Sequence, residues 1–125
     1  MEIINLEGTE DTPKIILDHS QKYYEISGRS LPENAVDFYA PVLKWLDDFA
    51  TEKPGDLEMN INLEYFNTAS SKLILDIFSK MESMKEEAID VSVKWFYAKD
   101  DVDMKEAGEE YAELVEISIS LECKK

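Results

Sequence analysis

The side chains able to do chemistry fall into two short stretches of this 125-residue chain. One is the carboxylate group Asp100, Asp101 and Asp103. Acid/base or metal-assisted chemistry would need such groups to converge on a pocket. The group does not follow an EF-hand loop, because Lys105 takes the third ligand position counted from Asp101 and no glycine follows. Its plainer reading is a loop with an N-cap, negative charge placed at the positive end of a helix. The other stretch is Tyr65-Phe66-Asn67-Thr68-Ala69-Ser70-Ser71-Lys72, which gathers hydroxyls at a strand-to-helix junction. Asn67 or Thr68 can cap the first turn there. An exposed hydroxyl at such a helix start is also where a phosphoryl group would meet free backbone N–H groups and a favourable dipole, with Glu64 opposing it. His19 and Cys123 are each the only residue of their type, so multi-cysteine metal sites and internal disulfides are excluded. The nucleotide-binding, zinc-protease and serine-hydrolase signatures are all missing.

The elements that must hold these residues follow from hydrophobic spacing. Lys14–Asp18 and Tyr23–Ser27 are β-prone runs around a polar turn and read as a hairpin. Ser30-Leu31-Pro32-Glu33 fits a capping box with Ser30 as N-cap, opening a helix to about Thr51. Val36, Tyr39, Leu43 and Leu46 lie on its apolar stripe, widened by Phe38, Val42, Trp45 and Phe49. Pro41 should kink it. Leu57, Met59, Ile61 and Leu63 alternate with polar residues in a half-buried strand. From Thr68 the period turns helical, with Ile74, Ile77, Phe78, Met81 and Met84 on one face. Asp90–Tyr97 alternates as a further strand. Asp103 with Glu106 reads as a second capping box, and Ile117, Ile119 and Leu121 mark a last strand.

The resulting order is β-β-α-β-α-β-α-β, in which strand–helix–strand crossovers make the later strands parallel. Strands buried on both faces read as continuous apolar runs, whereas these alternate. The expected fold is therefore α/β in two layers: a mixed sheet with about three helices on one face and the other face largely in water, where Tyr23 and Phe96 would sit. Length and the lack of a linker predict one domain over residues 1–125.

Charge removes whole classes of function. With 13 Lys and Arg against 28 Asp and Glu, the net charge of −15 repels nucleic acid and anionic membranes. No signal-like or membrane-spanning run is visible, which predicts a cytoplasmic protein. Nothing in the sequence calls for a cofactor.

Several separated segments together carry a resemblance: Thr12-Pro13, Ser27-Gly28-Arg29-Ser30-Leu31-Pro32-Glu33-Asn34-Ala35 with Phe38-Tyr39 and Trp45, Tyr65-Phe66-Asn67-Thr68, and Trp95-Phe96-Tyr97 followed by Asp103-Met104 and Gly108-Glu109. In these the chain is similar to the SiaC-type regulatory phosphoproteins, which resemble the anti-sigma-factor antagonists of the STAS fold. The resemblance spans nearly the whole chain. It implies a non-enzymatic bacterial partner-switching protein, phosphorylated by a dedicated protein kinase and dephosphorylated by a PP2C-type phosphatase. The unmodified form would bind a downstream target, for one branch a diguanylate cyclase in cyclic-di-GMP signalling. Carried over by position, Thr68 is the phosphoacceptor, with Ser70 and Ser71 in reserve and Ala69 where the family pattern has a serine. The implied partner surface comprises Gly28, Arg29, Ser30, Glu33, Asn34, Tyr65, Asn67, Thr68 and Lys72. The competing reading is a small acidic enzyme or metal-binding protein using Asp100, Asp101 and Asp103.

Overall fold

A computed structural model describes residues 1–124. The sheet has six strands, β1 (Ile4–Leu6), β2 (Lys14–Asp18), β3 (Tyr23–Ser30), β4 (Leu57–Phe66), β5 (Val91–Ala98) and β6 (Ser118–Lys124), and the helices are α1 (Ala35–Glu52), α2 (Thr68–Glu86) and α3 (Val102–Leu114). Spatial order equals chain order; β1, β2 and β3 pair antiparallel and β3 to β6 parallel. That ordering explains the layers. Each parallel crossover is right-handed by default, and with no reversal in strand order all three helices fall on the same side.

Alternation along the strands supplies the matching core. Ile15, Leu17, Tyr24, Ile26, Met59, Ile61, Val93 and Trp95 are buried beneath the helices, whereas their neighbours Ile16, Glu25, Ser27, Asn60, Lys94 and Phe96 are only half-covered on the open face. Tyr23 lies on that open face too, bonded to Glu25. Trp45 and Trp95 are both buried and donate their indole N–H groups to the carbonyls of Glu2 and Met104. No helix among the described residues is long and apolar enough to cross a membrane.

Four details depart from the sequence expectation. The strand β1 was not foreseen, since three residues are too few to show a period. Ser30 does not cap α1: β3 runs on through it, pairing Ser30 with Phe66, and the cap is Asn34, whose side chain accepts from the Asp37 amide at 3.1 Å. Asp103 does not cap α3 either; Asp101 does, accepting from the Met104 amide at 3.0 Å, and Asp103 stands in the first turn. Val36 is exposed, because the buried stripe of α1 starts one residue earlier at Ala35 and continues through Tyr39, Val42, Trp45, Leu46 and Phe49. As the spacing predicts, α1 continues through Pro41, which lies on the solvent side, where water can satisfy the carbonyl that its missing N–H leaves free.

Candidate functional site

Strands β3, β4 and β5 run in the same direction, so the helices that follow them all begin at one edge of the sheet. Asn34, Asn67 and Asp101 cap these starts, the Asn67 side chain accepting from the Ser70 amide at 2.8 Å. Each start presents free N–H groups and the positive end of a helix dipole. The first turns of α1 and α3 carry the carboxylates Asp37 and Asp103. That of α2 carries none, only the hydroxyls of Thr68, Ser70 and Ser71.

These three hydroxyls have different fates. Thr68 is the first residue of α2 and is exposed, and since Asn67 supplies the cap, its hydroxyl is not committed to holding the helix. Ser70 is fully buried and donates to the Ser30 carbonyl at 3.0 Å. Ser71 is half-buried, its oxygens turned toward the Tyr111 hydroxyl, which donates to the Ser71 carbonyl at 2.8 Å. A kinase would reach Ser70 only by opening the core. Lys72 is exposed one turn beyond Thr68, and Glu64 is exposed on the preceding strand.

The stretch from Gly28 to Asn34 does lie beside this junction. A bulge between Gly28 and Arg29 sets Arg29 opposite Tyr65 and Ser30 opposite Phe66, and Gly28 takes φ +100°, a conformation that favours glycine. The Asn67 amide donates to the Ser30 carbonyl at 3.0 Å, fastening the two strand ends together. Arg29 lies with its guanidinium carbon 5.8 Å from the centre of the Tyr65 ring. Glu33 and Asn34 are exposed, and Asn67 is half-buried. Ser30 is fully buried, so its side chain bonds inward, to the Tyr39 hydroxyl at 2.6 Å and the Ser70 hydroxyl at 2.8 Å, rather than facing a partner.

Sequence reasoning missed three contributors. Glu10 and Asp11 buttress this edge, the Glu10 carbonyl accepting from Arg29 Nε at 3.2 Å and the Asp11 carbonyl from the Leu31 amide at 2.7 Å. The Thr9…Thr12 turn before Pro13 was their available signal, because its hydroxyls bond to each other and to the intervening backbone. The third is the hydroxyl of Tyr39, the inner end of the serine chain: the spacing places the Tyr39 ring on the apolar stripe but gives its oxygen no partner. Burial pushes its pKa up to about 12, the Ser30 hydrogen bond pulling the other way. Burial also raises that of Tyr111. Both remain neutral donors at ordinary pH.

The three aspartates do not form a shared centre. Asp101 and Asp103 line a cavity of about 210 Å³ with Glu64, Tyr65 and Phe66, while Asp100 is exposed outside it. Asp101 is engaged as the helix cap. Among the described residues no group of three or more His, Cys, Asp or Glu side chains could hold a metal ion. His19 lies in the turn between β2 and β3, its Nδ1 3.3 Å from the Tyr24 hydroxyl, whereas Cys123 is exposed on the far edge strand β6, so the two do not meet.

Comparison with known proteins places this geometry. The model of the SiaC family of regulatory phosphoproteins matches residues 6–123. An uncharacterized protein of Pseudomonas aeruginosa is 30% identical over 113 residues, 90% of each chain. Apo-SiaC from Pseudomonas aeruginosa superposes with a TM-score of 0.91 at 29% identity, covering 98% of this chain and 99% of that one. SiaC is also seen in a crystal structure of the diguanylate cyclase SiaD with its activator SiaC from the same organism, which matches at TM-score 0.91 and 27% identity over 97% and 99% of the two chains.

Proposed function

The chain belongs to the SiaC family of regulatory phosphoproteins, and from that premise we propose that it is a non-enzymatic, cytoplasmic partner switch controlled by reversible phosphorylation of Thr68. A dedicated protein kinase adds the phosphate and a PP2C-type phosphatase removes it. The unmodified form binds a downstream protein, by analogy with the complex between SiaC and its cyclase a diguanylate cyclase. The observation that carries this reading is the exposed Thr68 hydroxyl on a helix start that Asn67 caps and no first-turn carboxylate occupies.

The chemistry follows from the charge. Phosphorylation replaces a neutral hydroxyl by about −1.5 to −2 charges at pH 7 and three acceptor oxygens. The free N–H groups and dipole of α2 tolerate that charge within this chain. A partner covering Thr68 would have to desolvate it, which costs several kcal/mol unless a cationic pocket is supplied. Exposed Tyr65 and Val102, and the edge formed by Gly28, Arg29, Glu33, Asn34, Asn67 and Lys72, supply the surrounding contact area.

Mass spectrometry of protein purified from its native cells tests the acceptor, with phosphate expected on Thr68 in the peptide that also contains Ser70 and Ser71. Affinity for the cognate diguanylate cyclase, measured before and after kinase treatment, tests the switch. Phosphate found on Ser71 instead, or turnover of a substrate by the protein alone, would overturn the reading.

A further inference from the structure

Ser30 and Ser70 are fully buried, and both lie beneath the turn that presents Thr68. With the Tyr39 hydroxyl they form a chain: Ser70 donates to the Ser30 carbonyl at 3.0 Å and Ser30 to Ser70 Oγ at 2.8 Å, which uses the one Ser30 hydroxyl hydrogen and leaves Tyr39 as the donor in its 2.6 Å bond to Ser30 Oγ. The same carbonyl accepts the Asn67 amide at 3.0 Å, and the Asn67 side chain accepts the Ser70 amide at 2.8 Å. Residues 67 and 70 are thus both tied to the end of β3, and through Tyr39 to α1. Thr68 stands between the two ties.

Satisfying buried polar groups does not explain the chain. With alanine at positions 30 and 70 and phenylalanine at 39, the three hydroxyls would vanish together and the Ser30 carbonyl would keep its bond from Asn67. Removing all partners of a network at once leaves no orphan and is close to neutral, unlike removing one. What the chain adds is fixed geometry, linking β3, α1 and α2 at a single point.

We propose that Tyr39, Ser30 and Ser70 are positioning residues for phosphoryl transfer to Thr68, an assignment that rests on Thr68 being the acceptor. In that transfer Thr68 Oγ1 attacks the γ-phosphorus of ATP held by the kinase. The new O–P bond forms as the bond to the β–γ bridging oxygen breaks, ADP leaves with that electron pair, and the hydroxyl proton passes to a base on the kinase. An acceptor misplaced by about 1 Å can cost on the order of 100-fold in rate. The buried hydroxyls hold the Ser70 side of this turn against such drift, while the Asn67 amide bond to the Ser30 carbonyl holds the other side.

The experiment compares the wild-type chain with Tyr39→Phe and with the triple variant Ser30→Ala/Tyr39→Phe/Ser70→Ala. Thr68 phosphorylation by the kinase purified from the native cells, supplied with ATP, is resolved into kcat and KM for the protein substrate. Amide hydrogen exchange of residues 68–71 and the melting temperature are measured alongside. The triple variant should lose about tenfold or more in kcat with KM within about twofold, exchange faster at 68–71 and remain folded. Tyr39→Phe, which keeps the ring in the core, should fall between the two and serves as the reading if the triple variant does not fold. Wild-type kcat and exchange in both variants would overturn the assignment while leaving Thr68 as the switch. A wild-type chain that the kinase does not label on Thr68 would overturn the proposed function, and this assignment with it.

Discussion

The backbone of α3 at Gly108 rests on the indole of Trp95: a Cβ at that position would stand 2.5 Å from Trp95 Cδ1 and 2.8 Å from Nε1. A glycine inside a helix costs roughly 1 kcal/mol relative to alanine. Here it permits a helix-to-sheet approach that no other residue allows. The ring cannot yield easily, since Trp95 is fully buried and donates to the Met104 carbonyl at 2.9 Å. Gly108→Ala should therefore lose more from overpacking, roughly 1–3 kcal/mol, than it gains in helix propensity. Thermal unfolding checks this; a melting temperature at or above wild type would mean that α3 lifts away at no cost.

Much of this was legible in the sequence because long periodic segments decide their own structure. The stripe from Tyr39 to Phe49 and the alternation from Leu57 to Leu63 predicted α1 and β4, and with them the two layers. Local cap chemistry was less legible. Ser30 and Glu33 match a capping box, yet the pairing of β3 with β4 extends to Ser30 and turns its side chain inward, a tertiary decision invisible to a four-residue pattern. At α3 both Asp101 and Asp103 can cap, and the turn closed by the Asp101 amide on the Ala98 carbonyl selects the first. Thr68 was legible as a hydroxyl at a junction, but its freedom from capping depended on which of two adjacent residues won, and that only the backbone of Asn67 reveals.

Alkaline pH offers a separate handle on Tyr39. Its folded pKa of about 12 exceeds the unfolded value of about 10, chiefly because burial disfavours the phenolate. The unfolded chain therefore loses this proton first. The stabilisation is fully present below pH 10 and is lost as pH rises from about 10 toward 12, at up to about 1.4 kcal/mol for each pH unit in that window. Burial raises Tyr24 and Tyr111 in the same direction, so wild-type stability should fall steeply there. Tyr39→Phe should show a shallower fall than wild type between pH 10 and 12 in denaturant titrations. Equal slopes would mean that Tyr39 ionises as freely in the folded state as in the unfolded one.

Charge sets the expected behaviour toward nucleic acid. A net charge of −15 with only 13 basic residues offers no track of cations from which phosphates could displace counterions. Binding to random duplex DNA should be undetectable at moderate salt. A micromolar complex that weakens as salt is raised would contradict this.

Neighbouring residues at the start of α2 should separate stability from switching. Asn67 holds the cap, so Asn67→Ala should cost about 1 kcal/mol and lower the melting temperature by about 3–5 °C. Thr68 holds nothing the helix needs: Thr68→Ala should stay within about 0.5 kcal/mol of wild type, because alanine is the better helix former. In binding the order reverses. Thr68→Ala should keep affinity for the proposed diguanylate cyclase target and escape the proposed kinase, whereas phosphorylated wild type should keep its fold and lose that target, since the dianion suits the positive end of α2 but not a dry interface. Thr68→Asp carries one charge and fewer acceptor oxygens than phosphate, so its affinity should fall between the two. Melting temperature and cyclase affinity, measured on the same four proteins with wild type as reference, decide the matter. If phosphorylated protein binds the cyclase as tightly as unmodified protein, or if kinase treatment labels Thr68→Ala as fully as wild type, Thr68 is not the switch.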